Sequence, residues 1–431
     1  MHEPVRDRLV TLRRNLHRHP EPAWREFYTT ARLVEEIRAI GVDELVVGPD
    51  AYDPSDRMAV PDDDLDLWIE RARERGADEA LLERMTGGNT GAIAVLDCGD
   101  GPAIGLRVDI DGLFITESTR ETHDPATEGF RSVIDGTMHA CGHDAHMTWG
   151  LAALEAIKKS DFAGRLVVFF QPAEEASGGG YAMANSPFAD SLEYLLAVHV
   201  GLDYPTGQVV AGIEKPLAMC HVDATIEGAS AHAGKAPNEG QNAMHAMATA
   251  IENAYAIPRH SDGATRVNIG YAEAGSASNI IAEHAHMEAE ARGETTELME
   301  YMKTELDQTI QSAAQMHDCR ATVDVVSESP RSDSDPELQE LVHEVARDVD
   351  GIDIVHRTVE FGASEDATFL MERIKEAGGL ATYLIVGTDH PTSHHTPTFD
   401  IDEDSLKHGV DVLVDTIREL EHQHPVARTK G

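Results

Sequence analysis

The densest group of potential metal ligands in the sequence is the segment 139–146, which reads HACGHDAH. In an extended segment, side chains two residues apart point to the same side, so Cys141 and His143 are expected to reach one ion. Gly142 between them permits a close backbone approach. A polar loop is the simpler interpretation of a single histidine, but the neighbouring thiol and carboxylate favour a metal site.

Further potential ligands follow strand-like runs of the sequence. They are Asp109 and Asp111 after 103–108, Glu174 and Glu175 after 165–170, His199 after 194–198, and a histidine-rich loop, 387–399, after 381–386. Open α/β sheets place their sites beyond the carboxyl ends of their strands. We therefore expect these residues to share one cleft with the segment 139–146.

Together these positions supply five candidate ligands and one spare carboxylate. The ligands are Cys141, His143, Glu175, His199 and either His394 or His395, and the spare carboxylate is Glu174. Five ligands exceed the four of a tetrahedral zinc, so two divalent ions that share a bridging ligand and a water are expected. Glu174 then suits a general base. A single structural zinc would need closely spaced ligand pairs, which this order does not supply.

The elements that position these residues are predicted to form an α/β domain interrupted by a smaller domain. Strands alternate with helices on both sides of the interruption. Within 217–328, the order strand, helix, strand, strand, helix, strand is typical of a ferredoxin-like α+β domain. We expect a discontinuous catalytic domain, 1–216 and 329–431, and an inserted domain, 217–328. The acidic segment 50–88 is expected to be a surface insertion with one short helix.

Composition excludes several classes of function. No run approaches the roughly 18 apolar residues of a membrane helix, and charged residues occupy the start of the chain, where a signal peptide is apolar. A cytoplasmic protein is expected. The four cysteines are too scattered for a disulfide framework. With a net charge of −42 and no basic stripe, the chain is not expected to bind nucleic acid.

Six motifs extend over nearly the whole chain: MHACGHDAH, FQPAEE, AVHV, GASAHAGKAPNEGQNA, GSASNII and HHTPTFDIDE. They resemble the metal-dependent amidohydrolases and carboxypeptidases that include aminoacylases, indole-acetyl-amino-acid hydrolases and aminobenzoyl-glutamate hydrolases. The resemblance implies a zinc-peptidase-like catalytic domain, with a mixed sheet flanked by helices, and an inserted lid or dimerisation domain. Within the family, the stretches LERMTGGNTG, HSDGATRVNIG and GASEDATFLM are most similar to the aminobenzoyl-glutamate hydrolases.

The resemblance also implies a role for each candidate residue in the catalytic domain. Cys141 is the bridging-type ligand, Glu174 is the base, and the other ligands are His143, Glu175, His199 and His395. The family pattern of a histidine followed by Pro and then Phe matches His395, Pro397 and Phe399, although His394 stays open. Asp109 and Asp111 are expected to orient ligand histidines.

The inserted domain is implied to contact the substrate. In the resemblance, His232 stabilises the oxyanion by reaching into the active site of the partner protomer, while Asn279 and Arg292 hold the substrate carboxylate. A plain surface position for His232 and a simple ion pair for Arg292 are the alternatives.

The activity implied is hydrolysis of the amide bond of an N-aroyl or N-acyl amino acid, most like p-aminobenzoyl-glutamate. Two divalent ions, Mn²⁺ or Zn²⁺, acidify a shared water whose proton passes through Glu174 to the leaving amine. Alternatives are another acyl group, such as indole-acetyl, another amino acid, or a protein that acts only with a homologous B-type partner. The expected assembly is a homodimer or that heteromer.

The acidic composition predicts a protein adapted to salt. The charge of −42 destabilises the compact chain by self-repulsion. Near 1 M salt the Debye length falls to about 3 Å, which largely screens that repulsion. The melting temperature is therefore expected to rise between dilute buffer and molar KCl, and an unchanged melting temperature would contradict the interpretation.

Overall fold

The structure, a computed structural model, describes residues 3–62 and 65–423. Its helices are α1 (Glu3–His17), α2 (Phe27–Ile40), α3 (Leu65–Glu74), α4 (Glu79–Arg84), α5 (Asp124–Thr127), α6 (His143–Lys158), α7 (Gly180–Ala184), α8 (Ala243–Ala254), α9 (Thr296–Met316), α10 (Pro336–Asp348), α11 (Ala367–Glu376) and α12 (Asp404–Gln423). Within these ranges, none of the helices combines the length and the apolar character needed to cross a membrane.

The strands fall into two main sheets and one short pair. They are β1 (Glu44–Val47), β2 (Ala92–Asp97), β3 (Ala103–Asp109), β4 (Arg165–Gln171), β5 (Tyr194–Val200), β6 (Gln208–Val210), β7 (Ile213–Glu214), β8 (Ala218–Glu227), β9 (Thr265–Ala274), β10 (His284–Gly293), β11 (Arg320–Ser329), β12 (Ile354–His356), β13 (Val359–Glu360) and β14 (Leu380–Val386). The long strands match the expected ones closely, except that β10, expected from residue 279, begins at His284. The short strands β1, β6, β7, β12 and β13 were not predicted.

The chain divides into two compact units. The larger contains the chain up to Glu214, Ser332–Glu360 and the chain from Asp366, and the smaller contains Lys215–Arg331 and Phe361–Glu365. The expected boundaries differ from these by two residues (216 against 214) and three residues (328 against 331). The return of 361–365 to the smaller unit was not predicted.

The larger unit is built on a mixed sheet of eight strands in the order β1-β2-β4-β3-β5-β14-β6-β12. Its central strands β4, β3, β5 and β14 run parallel. Their side chains are almost entirely buried, as expected for a sheet covered on both faces. Because these four strands share one direction, their carboxyl ends lie along one edge. Asp109 and Gln171, the last residues of β3 and β4, lie opposite each other there.

Two local predictions about the larger unit are wrong. The segment 139–146 is not extended, because α6 begins at His143, four residues before the helix predicted from 147. The insertion 50–88 contains two short helices, α3 and α4, instead of one. Gly76, with a φ of +89°, lies in the turn between them and accounts for the interruption.

The smaller unit has the ferredoxin-like arrangement. Its antiparallel sheet has the order β11-β8-β10-β9, and α8 and α9 pack on one face. Alternate residues of each strand face those helices, as Val222 and Ala224 of β8 do.

The opposite face of the smaller sheet brings like charges together. Asp223 of β8 lies directly across from Glu288 of β10 and Asp324 of β11. Like charges directly opposite each other oppose strand pairing. Because salt screens this repulsion, the row supports the expected gain of stability with ionic strength.

Candidate metal centre

The candidate ligands of the larger unit meet where a tight turn enters α6. Gly142 has a φ of +83°, and a Cβ at this position would lie 2.4 Å from Cγ1 of Val200. The turn therefore needs glycine. It brings Cys141 and His143 towards β5, where the Cys141 Sγ atom lies 3.5 Å from Nε2 of His199. Potential ligand atoms of these three residues all lie within 4.8 Å of one another.

The ring of His143 is oriented by a carboxylate beyond β3. Its Nδ1 donates to the main-chain oxygen of Asp111 at 3.0 Å and to Oδ1 of the same residue at 3.2 Å. Its Nε2 is buried and has no hydrogen-bond partner among the described residues. Carboxylate oxygens of Glu174 and Glu175 each lie 3.8 Å from this nitrogen. The free Nε2 is thus in the position of a metal-binding nitrogen.

The turn that carries Glu174 and Glu175 is held from two sides. Ala173, at the start of the turn, has a φ of +56°, and its N–H donates to Oε1 of Glu26 at 2.8 Å. The N–H of Glu175 donates to Oδ2 of Asp111 at 3.0 Å. Burial raises the pKa of Glu26 to about 8, and the charge of Asp111 adds to this. Two buried carboxyl groups thus fix the turn.

The main chain of Val200 determines which neighbouring histidines remain available. Its oxygen accepts from Nδ1 of His199 at 2.8 Å and from Nε2 of His394 at 3.1 Å. Its N–H donates to Nε2 of His146 at 2.9 Å, and Nδ1 of His146 donates to Asp109 at 3.2 Å. A nitrogen engaged in such a bond has no lone pair for a metal. Among the described residues, the only hydrogen-bond contact of Nε2 of His199 is with another candidate ligand atom, the Sγ of Cys141, so this nitrogen stays available to a metal, whereas neither nitrogen of His146 does.

His395 approaches from the loop after β14. Its ring Nε2 lies 3.3 Å from Oε2 of Glu175, and its main-chain N–H donates to the main-chain oxygen of Ala140 at 2.8 Å. Cys141, Glu175 and His395 form a second group whose ligand atoms are within 4.8 Å of one another. The structure thus brings His395 to the cluster, while His394 is bonded to Val200. Cys141 belongs to both groups, as a bridging ligand would.

The electrostatics of the cluster fit divalent cations. Burial opposes a charge on His143, but hydrogen bonding to Asp111 and the charges of Asp109 and Glu175 raise its pKa to about 10. Burial and the charges of Glu175 and Glu174 hold the pKa of the Cys141 thiol well above its usual value. Without an ion, the carboxylates therefore draw protons onto their neighbours. A divalent cation would meet this need for positive charge, and its charge would allow the thiol to ionise.

A buried charge network holds the start of α6 in place. Asp144, the second residue of that helix, accepts from Nε of Arg13 at 2.7 Å and from Nδ1 of His17 at 2.9 Å. Nε2 of His17 donates to Glu117 at 3.0 Å. Burial alone would lower the pKa of His17, but the bonds to Asp144 and Glu117 raise it to about 9. The ion pairs of α1 thus fix the turn that carries Cys141 and His143.

The smaller unit brings two of its three candidate residues together. His232 is exposed, and a short antiparallel bridge pairs it with Ile280, next to Asn279. Nδ1 of His232 accepts from the N–H of Gly234 at 3.1 Å, so the neutral ring carries its proton on Nε2. Arg292 donates to both carboxylate oxygens of Glu290, at 2.7 and 2.8 Å. A simple ion pair was the alternative role for Arg292 in the sequence analysis, and the structure contains such a pair.

Sequence reasoning missed the residues that position the ligands indirectly. Glu26, Arg13 and His17 precede the first candidate ligand by more than a hundred residues of chain, and nothing in their local sequence separates them from surface charges. Asp109 was expected to orient a ligand histidine; the histidine that it bonds is His146, and it also forms an ion pair with Arg107 at 2.6 Å. Asp111 has the expected role at His143 and a second contact at Glu175 that was not foreseen.

Comparison with known proteins identifies the family. The model of peptidase family M20/M25/M40 matches residues 105–419. The chain belongs to this family. It is 37% identical over 406 residues to indole-3-acetyl-aspartic acid hydrolase of Enterobacter agglomerans, with 93% of each chain covered. It is 37% identical over 409 residues to a p-aminobenzoyl-glutamate hydrolase subunit of Escherichia coli strain K12, with 94% of each covered.

A solved structure supports the same assignment. The aminobenzoyl-glutamate utilization protein of Klebsiella pneumoniae superposes with a TM-score of 0.83 at 31% identity, covering 96% of each chain. These relationships confirm the expected α/β fold and the expectation of a metal-dependent amidohydrolase. The metal-competent groups described above are consistent with that chemistry.

Asp111→Asn is expected to weaken metal binding. The amide cannot accept hydrogen bonds from both His143 and Glu175, because one of its two polar atoms is a donor. Loss of a contact that orients a ligand lowers metal affinity by roughly 10- to 100-fold. Calorimetric titration of the metal-stripped protein with Mn²⁺ measures this. Asp135→Asn, an exposed change between α5 and α6, is the control, and equal affinities in the two variants would contradict the role of Asp111.

Proposed function

We propose that the protein is a two-metal hydrolase that cleaves p-aminobenzoyl-glutamate to p-aminobenzoate and glutamate. The observation that carries this proposal is a pair of overlapping ligand groups that share Cys141, with a second carboxylate, Glu174, beside them. The relatives named for this substrate, at 36–37% identity along almost the whole chain, supply its identity.

The residues that would hold the ions are Cys141, His143, Glu175, His199 and His395. When bound, two divalent ions lower the pKa of a water molecule towards 7 and polarise the amide carbonyl. Thiolate and imidazole favour Zn²⁺, whereas carboxylate ligands also suit Mn²⁺. Burial and neighbouring histidines hold the pKa of His199 well below its usual value, so its ring is neutral and able to bind a metal.

Glu174 is the proposed general base. Its carboxylate lies beside the ligand cluster, 3.8 Å from Nε2 of His143, and its side chain is 13% exposed, so water can reach it. Glu174 takes one proton from the water as the water oxygen bonds to the carbonyl carbon. It then gives that proton to the nitrogen as the C–N bond breaks. The products are a carboxylic acid and an amine, so atoms balance without another reactant.

We further propose that the smaller unit acts as a lid and dimerisation domain. His232 presents Nε2–H as a donor, because Nδ1 accepts from Gly234. That donor suits an oxyanion in the active site of a second copy of the chain. Asn279 lies beside His232, because its main-chain oxygen accepts from the N–H of Ala233 at 3.0 Å. It is the better candidate for the substrate carboxylate, since the guanidinium of Arg292 is paired with Glu290.

Two alternatives have support of their own. The enzyme named for indole-3-acetyl-aspartate is also 37% identical, so an indole-acetyl amino acid is the second candidate substrate. The likeness to a protein named as one component of a hydrolase favours, as a further alternative, a heteromer with a B-type partner. We place the protein in a cytoplasm of high salt, because of its charge of −42 and its row of facing carboxylates.

The purified chain with Mn²⁺ is expected to hydrolyse p-aminobenzoyl-glutamate without another protein. Chromatography of released p-aminobenzoate and glutamate measures this, alongside metal analysis of the purified protein. Indole-acetyl-aspartate and N-acetyl-glutamate complete the panel. If only indole-acetyl-aspartate is cleaved, the substrate is an indole-acetyl amino acid and the proposed substrate is wrong. If activity requires a B-type partner, the enzyme is a heteromer and the proposal of a homomeric enzyme is wrong.

Glu174→Gln and His232→Ala are expected to retain bound metal and lose turnover. Removing a general base costs about 10²- to 10⁴-fold in rate, and removing an oxyanion donor costs on the order of 10²-fold or more. The measurements are kcat and the metal content of each variant.

Two matched changes separate these roles from general damage. Glu175→Gln, one residue away, is expected to lose metal affinity, because Glu175 is a proposed ligand. His284→Ala, an exposed histidine in the smaller unit, is expected to keep full activity. Loss of metal from Glu174→Gln would make Glu174 a ligand, and normal turnover by His232→Ala would end the oxyanion role.

A further inference from the structure

Phe114 is an exposed aromatic residue in the loop that follows Asp111. Its side chain is 60% exposed, more than any other phenylalanine, tyrosine or tryptophan among the described residues. Single exposed apolar side chains are common on protein surfaces. Phe114 differs from them in the rigidity of its surroundings and in its position.

The backbone around Phe114 is fixed on both sides. Leu113 exchanges two main-chain hydrogen bonds with Met138, at 2.9 and 3.0 Å, and Gly112 donates to the main-chain oxygen of Glu21 at 2.8 Å. The guanidinium carbon of Arg25 lies 5.1 Å from the centre of the Phe114 ring. A cation at this distance attracts the ring and restricts its motion. The backbone at Phe114 is thus held in place, and the ring has one contact with Arg25 and a large area in contact with water.

Three connections tie the backbone at Phe114 to segments that carry the metal cluster. Along the chain it is three residues beyond Asp111, which spans at most about 11 Å. Through Leu113 it adjoins Met138, three residues before Cys141. Through Arg25 it adjoins Glu26, which bonds to the N–H of the residue before Glu174.

We infer that Phe114 is a specificity residue that stacks on the aromatic acyl group of the substrate. This inference rests on the proposed function. The acyl ring of an N-aroyl amino acid is attached directly to the reacting carbonyl carbon, so it must lie at the border of the cluster when that carbon is within it. An aromatic ring there gives offset or edge-to-face packing. Phe114 therefore favours N-aroyl over N-alkanoyl amino acids.

Phe114→Leu and Phe114→Tyr test this role against paired substrates. Leucine keeps the apolar character but lacks the ring, whereas tyrosine restores the ring. For p-aminobenzoyl-glutamate, kcat/KM of Phe114→Leu is expected to fall about tenfold, mainly through KM, and Phe114→Tyr is expected to stay within about threefold of the original protein. For N-acetyl-glutamate, which has no ring, both variants are expected to match the original protein.

Controls separate this inference from the proposed function. Leu67→Ala, another exposed apolar change in the larger unit, is expected to leave both substrates unaffected. Equal losses on both substrates in Phe114→Leu, or no loss on either, would overturn the stacking role. If the original protein cleaves neither substrate, the proposed function fails. Calorimetric binding of p-aminobenzoate to the Mn²⁺-loaded protein then decides. Weaker binding by Phe114→Leu, with unchanged binding by Phe114→Tyr and Leu67→Ala, supports stacking. Equal binding by Phe114→Leu and the original protein overturns it.

Discussion

The carboxylate of Asp111 is the contact on which the metal cluster depends. One oxygen accepts from Nδ1 of His143 and the other accepts from the N–H of Glu175. The start of α6 and the turn after β4 are therefore aligned by a side chain from beyond β3. The group is 1% exposed, so its hydrogen bonds lie away from water, where charged bonds are strong. The same buried charge also attracts a cation, so one residue both orders the ligands and favours what they bind.

The main chain of Val200 determines which histidine nitrogens near the cluster are occupied by hydrogen bonds. Its oxygen holds one nitrogen of His199 and one of His394, and its N–H occupies the only acceptor nitrogen of His146. No side chain at 200 is needed for these bonds, because every non-proline residue offers the same N–H and oxygen. The side chain matters elsewhere, since its Cγ1 atom leaves room only for glycine at 142. Val200 thus determines both the tautomer of His199, a proposed ligand, and the shape of the turn at Gly142.

Much of the arrangement could be predicted because it follows from strand direction. Parallel strands with polar residues at their carboxyl ends bring those residues to one edge, and the structure places Asp111, Glu175 and His199 there. The turn at 139–146 could not be predicted from periodicity, because the same letters fit an extended segment or a helix start, and only the approach of Val200 decides between them. Glu26 and Arg13 could not be found, since their importance arises from contacts made after folding.

The distribution of the proposed ligands along the chain has a consequence for stability. Cys141 lies just before α6, His143 is the first residue of that helix, Glu175 follows β4, His199 is the penultimate residue of β5, and His395 follows β14. No short segment of the unfolded chain holds this set, so ions that need all of it bind the folded unit far better than the unfolded chain. Binding free energy then adds to folding free energy. That gain opposes the repulsion of a chain with a charge of −42, and it does so beside the neighbouring carboxylates of Glu174 and Glu175. The proposed metal centre and the acidic composition are thus linked, because bound cations reduce the electrostatic repulsion that the acidic residues create.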